Sequence, residues 1–204
     1  MKKNLLIIFL ISVFFCACTS KPKFSGNGDL CGLVIDENNS PVKDFVVHCK
    51  GAASNPAMGL KPAQTMSTNE SGIFVFYDLP SGDYQLYGEK KNYQRILKTS
   101  YRFSNRSNII CLQTKGFKAS VLNAEKLYSL GQTEAAQEVL ENIYCETKSS
   151  EELYVNAYLY LMTEDVAKKK EILKKIKSKT AGLKESDTSV FFNQFIAKLE
   201  EENL

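Results

Sequence analysis

Residues 73–78 alternate Ile73, Val75 and Tyr77 with Phe74, Phe76 and Asp78, a period of two that predicts a strand. Asn69-Glu70-Ser71-Gly72 before it carries turn chemistry. Leu79-Pro80-Ser81-Gly82-Asp83 after it joins a fixed φ to a free one. In the next strand Tyr84, Leu86 and Gly88 share one face, and Gln85 and Tyr87 share the other. Both faces of 73–77 are apolar, which predicts a strand covered on both sides. Upstream, Leu30, Gly32 and Val34 oppose Cys31, Leu33 and Ile35, and a turn follows at 37–41. Residues 42–49 then set Phe45, Val47 and Cys49 against Val46 and His48. The polar run 104–108 leads to a last strand, Ile109–Gln113. Val34, Val47, Phe74, Phe76, Tyr84 and Leu86 form the expected core. Short alternating strands with Gly, Pro and Asn turns are the pattern of a β-sandwich of about seven strands.

Past Lys115-Gly116-Phe117 the period changes from 2 to 3.6. Val121, Ala124, Leu127 and Tyr128 predict a helix ended by Leu130-Gly131. Thr133 is the expected N-cap of the next, with Ala136, Val139, Leu140 and Ile143 on its apolar face. A second hairpin over 150–179 starts at Ser149 or Ser150 with Glu152. Its stripe is Leu153, Ala157, Tyr158 and Leu161. Thr163-Glu164-Asp165 caps a partner helix carrying Val166, Ile172, Leu173 and Ile176. Ser186-Asp187 caps a last helix with Val190, Phe191, Phe195, Ile196 and Leu199 inward. The fold class is therefore α+β by segregated domains: an antiparallel β-sandwich, then an all-α helical-hairpin domain.

Two family resemblances accompany these patterns. Gly32-Leu33-Val34-Ile35-Asp36, Asn39-Ser40-Pro41-Val42, Val47, and then TNESGIFVF at 68–76 and LPSGDYQL at 79–86 resemble the carboxypeptidase regulatory-like domain. Tyr93 falls where that family has an aromatic after the hairpin. The resemblance covers 29–114 and implies a transthyretin-like, immunoglobulin-like sandwich. The segment 51–66 departs from it, being longer and more polar than a tight loop. The resemblance concerns the accessory sandwich alone; with one histidine in the chain, the family's zinc-binding catalytic domain is not present. Ala124, Leu127, Gly131-Gln132-Thr133-Glu134-Ala135-Ala136, Leu140 and Ile143 resemble one tetratricopeptide repeat, with Thr133 where that family has tyrosine. Domains are expected at 29–114 and 117–204.

The N-terminus changes the picture most. Lys2-Lys3 precede an apolar stretch at 5–15, too short to span a bilayer. Phe15-Cys16-Ala17-Cys18-Thr19-Ser20 follows and resembles a bacterial lipobox, with small Ala17 before Cys18. The resemblance implies a signal peptide at 1–17, lipidation of Cys18 with palmitate-type acyl chains, a tether at 18–28, and a membrane-anchored envelope lipoprotein. Several chains make such anchoring stable. Thr19 and Ser20 do not resemble an Asp-type inner-membrane retention signal, so the outer membrane or cell surface is favoured. Cys31, Cys49, Cys111 and Cys145 then remain, as disulfides in one of three full pairings or as buried free thiols.

Composition narrows the chemistry. The net charge of +3 over 204 residues is too small to argue for nucleic acid, and Lys168-Lys169-Lys170 with Lys174-Lys175 suit a solvated helix face. Tryptophan, the commonest sugar-stacking residue, is absent. His48, the single histidine, lies on an outward strand face with no GxSxG motif. The acidic pairs Asp36-Glu37 and Asp78/Asp83 and the run Glu200-Glu201-Glu202 fall in turns or at a helix end. Asp36-Glu37-Asn38-Asn39 lacks EF-hand spacing, and no CxxC or phosphate-binding loop occurs. No catalytic residue, metal or cofactor is therefore expected. Candidate contact surfaces are 51–66; Tyr87, Tyr93, Arg95, Tyr101 and Arg102; and the helical hairpins with Tyr154, Tyr158 and Tyr160, since Tyr and Arg are favoured at hot spots. At helical spacing those last tyrosines also suit a core.

The expected function is a non-enzymatic interaction or structural module of the envelope, with a protein partner. The alternative is a carbohydrate- or peptidoglycan-contacting accessory module. Partitioning of the native protein into a detergent phase is expected, and Cys18→Ala is expected to abolish it; a water-soluble native protein would contradict the anchor.

Overall fold

The computed structural model describes residue 24 and residues 26–51, 63–181 and 187–202. The signal segment, Cys18 and most of 51–66 lie outside these residues. The order of elements is β1 (Asn27–Ile35), β2 (Val46–Gly51), β3 (Gln64–Ser67), β4 (Ile73–Pro80), β5 (Gly82–Glu89), β6 (Tyr93–Gln94), β7 (Ile96–Phe103) and β8 (Ile109–Gln113). Then come α1 (Phe117–Ser129), α2 (Thr133–Glu141), β9 (Ile143–Tyr144), α3 (Ser150–Met162), α4 (Val166–Thr180) and α5 (Asp187–Glu202).

Seven strands form two facing sheets, β4-β1-β8 and β3-β2-β5-β7. Their alternation sends Leu30, Val34, Val47, Phe74, Phe76, Tyr84 and Leu86 into one buried core with Phe45 and Phe103. The sandwich is antiparallel apart from β1·β8, which runs parallel from Cys31↔Ile109 to Ile35↔Gln113. That pairing arises because the chain crosses from β7 in one sheet to β8 in the other instead of turning back as a hairpin. Thr68 closes the entry to β2 with a buried hydroxyl, which accepts from Phe45 N (2.9 Å) and donates to Val42 O (2.6 Å). Burial of such a group requires both bonds.

The expectation that 73–77 is covered on both sides is not met. Phe74 and Phe76 are buried, but Ile73 is 43 % and Tyr77 57 % exposed. Nothing among the described residues packs on the outer face of the three-stranded sheet, so the apolar outward positions stay at the surface. The four cysteines in the fold are free thiols. Burial pushes the Cys49 thiol up to about 12 and the Cys145 thiol up to about 11, the latter with help from Glu151 and Glu152.

A second core belongs to the helices, built on Ala124, Ala136, Leu140, Leu153, Ile172, Ile176 and Phe192. Helix α1 ends with Gly131 at φ +75°; Gln132 N donates to Leu127 O (3.0 Å) and Gly131 N to Tyr128 O (2.9 Å), a Schellman closure that glycine permits. Ser149 caps α3 by accepting from Glu152 N (3.1 Å). Asp165 caps α4 by accepting from Ala167 N (2.7 Å) and Lys168 N (3.1 Å).

Several helix details differ from expectation. Thr133 is the first helical residue of α2 and not its cap; Gln132 holds the cap position and makes no side-chain cap bond. Ile143 leaves that helix and joins β9, because its backbone pairs with Gln94. Leu161, Val166, Val190 and Phe191 are exposed. The face of α5 that meets the core is set by Phe192, which packs edge-on against Tyr154 at 5.3 Å and against Phe195 at 6.3 Å.

Sheet packing leaves no room at Gly88: an added Cβ would lie 2.5 Å from Val46 O and 2.7 Å from the Phe45 ring, whereas at Gly82 its nearest neighbour would be 4.0 Å away. Gly88→Ala is expected to destabilise by about 1–3 kcal/mol and Gly82→Ala to stay within about 0.5 kcal/mol, measured by urea denaturation.

Candidate functional site

The outward face of the four-stranded sheet brings His48 of β2 opposite Tyr87 of β5. Their rings stack at 4.7 Å with a 19° interplanar angle. His48 Nδ1 and the Thr65 hydroxyl of β3 share a 2.9 Å hydrogen bond, which orients the imidazole. On the other side of β5, the register with β7 steps from Leu86↔Thr99 to Gly88↔Ile96. One residue, Tyr87, therefore faces two, Leu97 and Lys98. Such a bulge bends its strand and re-aims side chains. Here it opens a cavity of about 230 Å³ lined by His48, Tyr87, Glu89, Arg95, Leu97 and Lys98, among others.

The cavity has a mostly apolar lining, with Glu89, Arg95 and Lys98 supplying a small excess of positive charge. Lys98 Nζ lies 6.0 Å from the centre of the Tyr87 ring, within cation–π range. Arg95 Nε donates to Glu89 Oε2 at 3.3 Å, so that pair is internally balanced. Lys98 has no ion-pair partner among the described residues. The arrangement offers an aromatic surface, an imidazole and one ammonium group. It suits contact with a polar or acidic group on a ligand. Its volume falls below the roughly 300–1,000 Å³ of ordinary small-molecule pockets, so it fits one side chain or one sugar unit.

Arg95 also belongs to the junction between the two cores. Its guanidinium lies 4.9 Å over the Tyr144 ring, and β6 pairs with β9 through Tyr93↔Tyr144 and Gln94↔Ile143. Asn92 N donates to Tyr144 O (2.7 Å) and Arg95 N to Asn142 O (2.9 Å). Asn142 Nδ2 returns a bond to Arg95 O (3.1 Å). Asn92 Nδ2 donates to Glu151 Oε1 (2.9 Å) at the head of α3, and Lys91 pairs with Glu146. Partial burial, and then the nearby Asp36 and Glu37, raise the Tyr93 hydroxyl above its usual range. A second cavity of about 310 Å³ lies beside this junction, lined by Asp36, Glu37, Asn39, Gln94, Gln113, Thr114 and Lys115. Glu37 Oε2 there accepts from Gly116 N at 3.0 Å.

The remaining sequence-predicted residues are dispersed. Tyr101 opposes Tyr84 and packs against the sandwich core; its buried hydroxyl has no hydrogen-bond partner among the described residues. Arg102 pairs with Asp83, Nε to Oδ1 at 3.1 Å, four residues along β5 from Tyr87 and so roughly 13 Å away. Tyr154 sits against Phe192 and the exposed Phe191. Tyr158 donates to Glu125 Oε1 at 2.7 Å, a bond that raises its own hydroxyl. Tyr87 and Arg95 thus share a cavity, Tyr93 and Arg95 share the junction, and Tyr101, Arg102, Tyr154 and Tyr158 join neither cavity. Sequence reading passed over Glu89, Leu97 and Lys98 as site residues and read His48 as an ordinary surface residue. The signal that unites them is the strand register and its bulge, which no local pattern carries. No helix among the described residues is long and apolar enough to cross a membrane.

No protein-family model matches the chain and no curated protein matches it. Among solved structures the chain is similar to the Bacillus anthracis TIE protein, at 19 % identity and TM-score 0.36, over 45 % of this chain and 17 % of that one. It is also similar to a streptococcal ancillary pilin, at 13 % identity and TM-score 0.38, over 45 % and 30 %. A third is a candidate carbohydrate-binding protein from Pseudomonas aeruginosa, at 12 % identity and TM-score 0.33, over 45 % and 92 %. The chain spans less than a third of the first two structures it matches.

The junction has a pH signature. Glu151 is held below the ordinary carboxylate range, first by its own backbone amide, then by Ser150, Asn92 and the Lys91 charge, against the opposing effect of partial burial. A carboxyl depressed on folding stabilises the fold above its unfolded pKa of about 4.3, and that contribution is lost as pH falls through the folded value. Glu151→Gln is expected to destabilise the fold at pH 6–8 by about 1 kcal/mol or less at this partly buried site, read from urea denaturation. The difference from wild type should shrink as pH falls below about 4.3 and vanish only below the depressed folded value.

Proposed function

We propose that this chain is a non-enzymatic lipoprotein of a bacterial envelope, held in the outer membrane or at the cell surface through acylated Cys18. In this reading its sandwich (29–114) and tetratricopeptide-like hairpins (117–204) form one interaction module. The observation that carries the reading is the cavity at Tyr87. It gathers His48, Arg95 and Lys98 on an outward sheet face as a recognition surface, stabilised by stacking and ion pairing, and it offers contact chemistry. The lipobox at 15–20 supports the anchor. Phe24 packs edge-on to Phe103 at 5.3 Å beneath the Arg106 guanidinium at 4.4 Å, so in this reading the tether is short. The folded body therefore begins within six residues of Cys18, a reach of at most about 20 Å.

A protein partner presenting an acidic side chain fits the cavity best, because Lys98 has no ion-pair partner there among the described residues. The second reading is contact with a glycan of the cell wall or surface, favoured by the Tyr87–His48 stack and the one-sugar volume of the site. Crosslinking from intact cells, run beside a glycan array, tests both. Tyr87→Ala combined with Lys98→Glu is expected to cut recovery of the crosslinked protein at least about tenfold while membrane attachment persists. Unchanged recovery removes the Tyr87 face from the proposal. Array binding that depends on Tyr87, without a crosslinked protein, selects the glycan reading.

A further inference from the structure

We infer that the cavity beside the junction is a second binding site, built for a neutral polyhydroxylated ligand the size of one sugar unit. Its volume of about 310 Å³ reaches the lower end of ordinary small-molecule pockets. The turn after β1, β6, the end of β8 and the entry to α1 converge on it. Backbone bonds lock these segments together: Thr114 N donates to Ile35 O (3.0 Å), Gln94 N donates to Lys115 O (2.9 Å), and Tyr93 bridges to Gly116. Thr114 Oγ1 donates a further bond to Gln94 O (2.7 Å). The walls are therefore in place before a ligand arrives, which lowers the cost of ordering them on binding.

The lining decides the ligand class. Asp36 and Glu37 are oriented by the chain itself: Asp36 Oδ1 accepts from Asn38 N (2.8 Å) and Ser40 N (2.9 Å), and Glu37 Oε2 accepts from Gly116 N (3.0 Å). A carboxylate has about four acceptor sites, so both keep lone pairs for a ligand hydroxyl. Asn39, Gln94 and Gln113 also line the cavity, and their side-chain amides make no hydrogen bond among the described residues. An amide both donates and accepts, as a hydroxyl does, so the two match in either direction. Charge disfavours the other classes. Lys115 shares the cavity with the two carboxylates, so a bare cation meets an ammonium group and a bare anion meets two carboxylates. A neutral ligand meets neither penalty. Apolar atoms form part of the lining as well, which suits the C–H face of a sugar ring.

This site stands apart from the one at Tyr87 and rests neither on that reading nor on the anchor. The two cavities share no lining residue: Gln94 belongs to this one and its neighbour Arg95 to the other. A ligand here would touch the sandwich and the approach to the helices together, because Gln113 ends β8 and Lys115 lies just before α1.

The test follows backbone amide shifts by NMR on the full-length protein in lauryldimethylamine oxide micelles, a detergent without sugar. The probes are methyl glucoside, methyl galactoside, methyl mannoside and N-acetylglucosamine, each titrated to about 50 mM. At least one is expected to shift the amides of 36–39, 94 and 113–115 saturably. Its affinity should change less than about twofold between about 50 and 500 mM salt, as a neutral ligand requires. Gln94→Ala with Gln113→Ala removes two amides and leaves the backbone pairs in place; it should weaken binding at least about fivefold. Asn39→Gly, accommodated at φ +59°, should weaken it too and replaces the double variant if that one unfolds. Acetate, methylammonium and L-alanine serve as anionic, cationic and zwitterionic controls. Four results overturn the inference: no saturable shift from any sugar, shifts confined to the face of His48, Tyr87 and Lys98, affinity unchanged in the folded variants, or a charged control that binds the same amides more tightly than every sugar. The second of these would place the sugar at Tyr87 instead.

Discussion

The molecule depends on one short backbone clasp. Tyr93 and Gln94 leave the sandwich and pair with Ile143 and Tyr144, which interrupt the helices, and the two hydrophobic cores meet there. Asn92 and Asn142 add side-chain bonds on either side of it. Two cores joined only by a covalent linker would move independently. Here the amides of the linker region are used up in pairing, and Thr114 Oγ1 donates to Gln94 O at 2.7 Å to hold the exit from β8 against β6. The buried Asn92 Oδ1, which has no partner among the described residues, marks the least satisfied point of this clasp.

The clasp also positions the candidate site. Arg95 follows β6 directly and begins the approach to β7. Its guanidinium is held by Tyr144 from the helical side and by Glu89 from the sandwich side. The bulge opposite Tyr87 lies two residues further on. Junction and cavity are therefore neighbours along one strand, so a ligand at Tyr87 would touch a residue bonded to both cores. The same strand, through Lys98 and Arg102, is protected against edge pairing.

Much of this was legible in the chain. Alternation named the core residues Val34, Val47, Tyr84 and Leu86; Phe74 and Phe76 are buried with them, but both faces of 73–77 are apolar and the pattern alone did not decide which one turned inward. Helical periodicity and the Gly131 stop were equally plain. The failures have a common cause. Ile73 and Tyr77, Leu161, Val166 and Phe191 are apolar residues whose exposure depends on whether another element lies over them, which local pattern does not record. Thr133 failed as a cap because the chain enters α2 one residue earlier.

What the sequence by itself determined is the kind of element at most places, since period and turn residues are local. What only the tertiary structure decided is who stands beside whom. The stacking of His48 on Tyr87, the bulge that adds Lys98 to them and the clasp between residues far apart in the chain all follow from strand register. Register is set by the packing of whole sheets, and a shift of one residue would reverse every face.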